Sequence, residues 1–186
     1  MRLVNGIYFG GQPCSFAALR RLKKNGVGAI LSIEPIYIAG EYIKETSGKM
    51  FGLEVINFGN WYGVHENFSK TSLERFFFLV ALLKFKHPSE KIFVHCGVGF
   101  RTNALFDYYS AALGDHVKYF SETETKLAKR AFVKGCLLAA RELNSVRAFS
   151  LARKEVSKAG LKINLRKVSK VSARTRRKPN KVGRHK

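Results

Sequence analysis

Apolar and polar positions along this chain switch repeatedly between a period of two and a period near 3.6, the pattern of alternating strands and helices. Leu3 to Phe9 reads as a short strand with a turn at Asn5-Gly6. Gly10-Gly11-Gln12-Pro13 is a loop, and Ser15 is suited to cap a helix through Leu22 that Asn25-Gly26 stops. Val27 to Ile33 is apolar enough to be a central strand covered on both faces, and Pro35 ends it. A short helix is expected over Glu41 to Ser47 and a third strand over Leu53 to Phe58. Gly59 to Asn67 is a loop rich in glycine, asparagine and aromatic residues. Ser69 or Thr71 caps a long helix through Leu83, with Leu73, Phe76, Phe77, Val80 and Leu83 at core spacing. Phe76 to Phe78 and Phe85 fall on that helical period, which makes them core residues and not a base-stacking platform.

Ile92 to Val94 is a further buried strand, followed by a glycine-bearing loop and a helix from Thr102 to about Leu113 that Gly114 ends. Two basic helices follow, Glu122 to Arg141 and Ser145 to Lys158. The predicted fold class is α/β, a three-layer sandwich with a central, mostly parallel sheet and a basic C-terminal extension. A loop after the Ile92–Val94 strand would lie at the strand's carboxyl end, where such sheets place ligands.

Length and charge add to this picture. The 186 residues suit one domain of ordinary size. No stretch of about 18 apolar residues is present, so no membrane span is expected. The first ten residues lack a basic region followed by an apolar core, so no secretory signal is expected. Three cysteines without C-x-x-C spacing argue against a disulfide scaffold or a zinc site. They favour a reducing, intracellular compartment, cytoplasmic or nuclear. The net charge of +21 is uneven: residues 1–113 hold 13 Lys/Arg and 8 Asp/Glu, residues 114–186 hold 21 and 5. From Lys162 to Lys186 there are 11 Lys/Arg and no acid, so residues 161–186 are expected to be a disordered tail. Such a density suits nonspecific contact with a polyanion, but it carries no module signature for base recognition.

The chemistry concentrates in Lys91-Ile-Phe-Val-His-Cys-Gly-Val-Gly-Phe-Arg-Thr102. A strand, a tight loop and a helix N-terminus present backbone N–H groups and a positive dipole end to the loop. Such surroundings favour a cysteine thiolate, and an arginine's planar fork matches two phosphate oxygens. Without these neighbours Cys96 would read as a buried small hydrophobe; with them it reads as a nucleophile for phosphoryl transfer. Cys14 and Cys136 have no such setting and are expected to be buried structurally. Asp107, in the helix after the loop, is expected to pair with a neighbouring base.

These residues resemble the signature His-Cys-x-x-Gly-x-x-Arg-Ser/Thr of the cysteine-dependent protein tyrosine and dual-specificity phosphatase superfamily. His95, Cys96, Gly99, Arg101 and Thr102 occur in that order, with four residues between Cys96 and Arg101 where the family has five. Asn5-Gly6-Ile7-Tyr8, Gly11-Gln12-Pro13, Gly26-Val27 and Ile30 to Ile33 look like the opening of dual-specificity-like members, so the resemblance spans about residues 1–115. It implies a phosphatase-like domain, over residues 1–160 once the basic helices are included. It implies Cys96 as nucleophile, and Gly97, Val98, Gly99, Phe100 and Arg101 as the phosphate cradle. His95 would tune the loop, and Thr102 would hydrogen-bond the sulfur and ease its departure. The family's general acid is an aspartate about thirty residues upstream; here the only carboxylate in that loop is Glu66, with His65 beside it as a second donor.

No metal or cofactor is implied. The expected activity is hydrolysis of phosphate monoesters through a cysteinyl-phosphate, on a phosphorylated protein of tyrosine or dual specificity. The RNA 5′-triphosphatase members make an RNA end a second candidate substrate. The short loop and missing aspartate keep open a pseudophosphatase that binds phosphorylated or polyanionic partners without turnover. A third reading, a basic adaptor acting through its tail, leaves the cysteine loop unexplained.

Overall fold

The computed structural model describes residues 1–33, 36–38, 41–43, 51–58 and 68–162. It is α/β, with a five-stranded, mostly parallel mixed sheet and five helices among the described residues, compatible with a three-layer sandwich. The turn expected at Asn5-Gly6 is present and divides the first stretch into a hairpin, with β1 (Arg2–Val4) antiparallel to β2 (Ile7–Gly11). Asn5 and Gly6 both take positive φ, 47° and 77°, as the type I′ turn favoured by Asn-Gly requires.

Helix α1 (Phe16–Lys24) starts where Ser15 accepts the Ala18 N–H. Strand β3 (Val27–Ser32) is buried at every position, as its unbroken apolar run demands. Strands β4 (Ile36–Ile38) and β5 (Glu41–Ile43) pair antiparallel, so the start of the helix expected over Glu41 to Ser47 is a strand instead. The β-branched and aromatic content of Ile36-Tyr37-Ile38 and Tyr42-Ile43 favours a pleated pair over one isolated helical turn. Pro35 and the remainder of that segment lie outside the described residues. Strand β6 (Glu54–Asn57) follows.

Helix α2 (Lys70–Lys86) is capped by Ser69, which accepts the Ser72 N–H at 3.1 Å, and buries Leu73, Phe76, Phe77, Val80 and Leu83. Phe85 is buried with them and Phe78 packs half-buried against the same core. Strand β7 (Lys91–Cys96) and helix α3 (Phe100–Leu113) flank the cysteine loop, and Gly114 ends α3 in the left-handed region. Helix α4 (Glu122–Leu143) opens on a capping box of Ser121 and Glu124, and α5 (Val146–Lys158) on Ser145.

The sheet order is β1-β2-β7-β3-β6, with β2, β7, β3 and β6 all parallel. Strand β7 is therefore central, and its side chains alternate between two cores. Ile92, Val94 and Cys96 join the large cluster under α2 to α5, while Phe93 joins Leu19, Leu22, Ile30 and Val55 under α1. The two basic helices meet the core through small residues, among them Ala128, Ala131, Ala139, Ala140, Ala148 and Ala152, and carry most of their charges outward, Glu155 being buried. That division lets highly charged helices complete an apolar core.

Candidate active site around Cys96

Cys96 is the last residue of the central strand, at the carboxyl end of the parallel sheet. Its register partner on β2 is Gly11, and His95 lies opposite Gly10 on one side and Ser32 on the other. The segment after β2 packs directly on the loop. A Cβ at Gly11 would meet the Gly97 carbonyl oxygen at 3.3 Å, and the Gln12 N–H donates to that oxygen at 2.9 Å. Glycine there lets two chains approach to backbone contact.

The Cys96 thiol is 2% exposed. The Gly99 N–H donates to its sulfur at 3.2 Å, and the Thr102 hydroxyl oxygen stands 3.8 Å away. Thr102 is fully buried, and its hydroxyl donates to the carbonyls of Gly99 (2.9 Å) and Gly10 (3.0 Å). One proton serves two acceptors there, so a rotation of the hydroxyl redistributes it among the two carbonyls and the sulfur. Gly99 takes φ 98° as the N-cap of α3, a conformation a side chain would strain, and no side chain caps that helix end. The sulfur therefore lies under the start of a helix, whose N–H groups and dipole favour negative charge.

The rest of the loop divides into a buried and an exposed part. Arg101 lies half-buried in the first turn of α3, and Gly97 is half-buried behind Gln12. Val98 and Phe100 are 82% and 68% exposed and form the rim. His95 is fully buried on the opposite face of β7 from Cys96, stacked on Phe93 at 5.8 Å. Its Nδ1 lies 3.4 Å from the Cys96 carbonyl, and its Nε2 has no hydrogen-bond partner among the described residues. Burial pushes its pKa down to about 4, against a small opposing effect of that carbonyl, so the ring is neutral near pH 7.

The structure thus brings together Cys96, Gly97, Gly99 and Thr102, with Val98 and Phe100 at the rim and Arg101 in the first turn of the helix. Glu66 and His65, the expected proton donors, lie outside the described residues, as does 163–186 of the basic tail. Gly10, Gly11 and Gln12 also contact the loop, although the sequence does not single them out as site residues; the paired glycines before Pro13 are the signal for such a close approach. Cys14 is exposed, contrary to expectation, because it sits in the loop ahead of Ser15 and donates to the Gln12 carbonyl at 3.3 Å. Cys136 is buried, and burial pushes its thiol up to about 12, with Glu155 raising it further and Lys84 opposing. Asp107 pairs with Arg2 of β1 at 3.2 Å. Among the described residues, no group of three or more His, Cys, Asp or Glu is placed to hold a metal ion. No helix among them is long and apolar enough to cross a membrane.

Compared with protein-family models, curated proteins and solved structures, the chain matches none.

Proposed function

We propose that this chain is a cysteine-dependent phosphatase of dual-specificity-like type, hydrolysing phosphate monoesters through a cysteinyl-phosphate. The observation that carries this reading is the Cys96 sulfur at the end of the central strand. There it accepts the Gly99 N–H at 3.2 Å and lies 3.8 Å from the Thr102 hydroxyl, under the start of α3. A buried cysteine kept only for packing has no use for an N–H donor, a hydroxyl and a helix N-terminus converging on its sulfur.

In this reading the Cys96 thiolate attacks phosphorus, a P–S bond forms and the P–O bond to the leaving group breaks. Loop amides and the Arg101 guanidinium hold the phosphoryl oxygens as their charge is redistributed. Glu66 or His65 delivers a proton to the leaving oxygen. Water then attacks phosphorus, the P–S bond breaks, and inorganic phosphate leaves with the thiolate restored. The Thr102 hydroxyl turns toward the departing sulfur and stabilises its charge. The substrate is a phosphorylated protein, on tyrosine or on serine and threonine, or the phosphorylated 5′ end of an RNA, which the basic chain would attract.

A specific feature favours a second reading, binding without turnover. Only four residues separate Cys96 from Arg101, the Gly99 amide is spent on the sulfur and the Gly97 carbonyl on Gln12. A cradle that counts backbone amides is then one short. Hydrolysis of a small aryl phosphate by wild type and Cys96→Ser across pH 5 to 8 separates the two readings. Activity that the substitution abolishes supports the enzyme; phosphate bound by both proteins with no turnover replaces it with a binding module.

A further inference from the structure

Away from the cysteine loop, the outward face of α4 and the chain just beyond α5 enclose a groove of about 450 Å³. Its floor is apolar, with Val133 and Leu137 from α4 and Leu161 from beyond α5, all half-buried. Its rim is cationic, with Lys129, Arg130 and Arg141. Lys134 also lines it and is ion-paired to Glu74 at 2.5 Å. Among the described residues no carboxylate lines the groove, and Lys129, Arg130 and Arg141 have no ion-pair partner. Positions 130, 133, 137 and 141 fall on one helical face, so the groove runs about 16 Å along α4, the length of three helical turns.

We propose that this groove docks an acidic amphipathic helix of a partner protein. Apolar side chains spaced i, i+3 and i+7 would rest on Val133, Leu137 and Leu161, and flanking carboxylates would face Lys129, Arg130 and Arg141. Charge complementarity selects this occupant. A second copy is a poor fit, since the chain holds 34 Lys/Arg against 13 Asp/Glu. The chain's own C-terminal segment is a worse one, with 11 Lys/Arg and no acid from Lys162 onward. Nucleic acid would leave the leucine floor unused, because phosphates need polar contacts and unpaired bases stack on aromatic rings, none of which line the groove. A bilayer surface is flat on this scale, whereas the apolar residues here are recessed between cations.

Fluorescence anisotropy on the full chain tests this with a labelled peptide of about 12 residues, leucines on one helical face and glutamates beside them. The comparison probe is a scrambled peptide of identical composition, which separates the groove from general attraction to a basic protein. The ordered peptide should bind at least about tenfold more tightly than the scramble. Leu137→Gln and Leu161→Gln should each remove most of that difference. Arg130→Glu with Arg141→Glu, both at exposed positions, should weaken the acidic peptide and strengthen one bearing lysines in place of glutamates. Circular dichroism checks that each variant is folded, and the charge-reversal pair serves if a leucine variant is not. Equal binding of ordered and scrambled peptides overturns the docking site, as does binding unaffected by these substitutions. Displacement of the peptide by a single-stranded oligoribonucleotide or by phosphatidylserine vesicles, with the same residues required, would reassign the groove to that ligand.

Discussion

Lys84 and Glu155, 71 positions apart, form an ion pair at 2.9 Å that ties α2 to α5. The Asn5 side chain donates to the same Glu155 oxygen at 2.7 Å, and Lys158 holds the other oxygen at 2.8 Å. Lys84 also donates to the Asn5 carbonyl at 3.0 Å, and the Asn5 amide reaches the Tyr109 hydroxyl at 3.2 Å. The β1–β2 turn, two helices and a buried tyrosine thus converge on one carboxylate. Burial alone would raise the Glu155 pKa, but Lys84, Lys158 and Asn5 outweigh it and hold it below 4.5. At Lys84 burial wins over Glu155 and lowers the pKa from 10.5, so the pair stabilises less than the carboxylate side suggests.

Removing one partner should therefore cost more than removing both. Glu155→Ala, which strands Lys84 without its counter-charge, is expected to destabilise by about 3 kcal/mol. Lys84→Met with Glu155→Leu should recover more than half of that loss. Urea unfolding followed by circular dichroism gives both values, and simple additivity would show that the two side chains act independently.

Acid should weaken the fold in two stages. His95 is buried neutral with its pKa at about 4, while the unfolded chain protonates it at 6.5. The unfolded state binds the proton first, so His95's contribution is complete above pH 6.5 and is lost as pH falls from 6.5 toward 4. Linkage sets its size at about 3 kcal/mol as an upper bound. Glu155 acts lower, because a carboxyl held below 4.5 stabilises above that pH and loses its contribution as pH falls through its folded value. The urea midpoint measured from pH 7.5 to 3.5 should begin to fall near pH 6.5 in wild type and near pH 4.5 in a folded His95→Asn variant.

Helices α2 and α4 cross in backbone contact at Gly135, where an added Cβ would meet the Phe77 carbonyl carbon and the Phe78 nitrogen at 2.6 Å. Neither atom can move without displacing α2. Gly135→Ala, a helix-favouring change on an exposed surface, should here destabilise by about 1–3 kcal/mol through overpacking. Thermal unfolding checks it; an unchanged midpoint would mean that α4 can slide outward at no cost.

Thr102→Val keeps the shape of the side chain and deletes the hydroxyl that serves the Gly10 and Gly99 carbonyls. The Gly99 carbonyl keeps the Asn103 N–H at 3.0 Å, so losing the hydroxyl should cost about 1 kcal/mol of stability. Under the proposed chemistry it should also slow breakdown of the cysteinyl-phosphate more than its formation. Rapid-mixing kinetics with an aryl phosphate would then show a burst larger than in wild type, and Thr102→Ser should restore steady turnover. A Val variant with unchanged turnover would confine the hydroxyl to holding the loop.

Much of this architecture is legible residue by residue. Ser15, Ser69, Ser121 and Ser145 each cap a helix through contacts within three positions, and the α2 core residues follow from period alone. The strand–loop–helix around Cys96 is visible for the same reason, since an apolar run, glycines and a helical period are all local signals. Local signals mislead where they are weak. Glu41 to Ile43 pairs with Ile36 to Ile38 in place of starting a helix, because strand pairing outweighs a single helical turn.

The inward contacts of the cysteine loop have a different origin. Thr102 finds Gly10, and Gln12 finds Gly97, only because β2 and β7 lie side by side in a parallel register that joins positions more than 80 residues apart. Glu155 likewise acquires Lys84 and Asn5 from the closing of α5 over the hairpin. Turns, caps and amphipathic faces are set by neighbours within a few positions, so the order of residues suffices for them. Strand order, the burial of His95 and the partners of Glu155 depend on which surfaces exclude water together, a property of the assembled core and of no single segment.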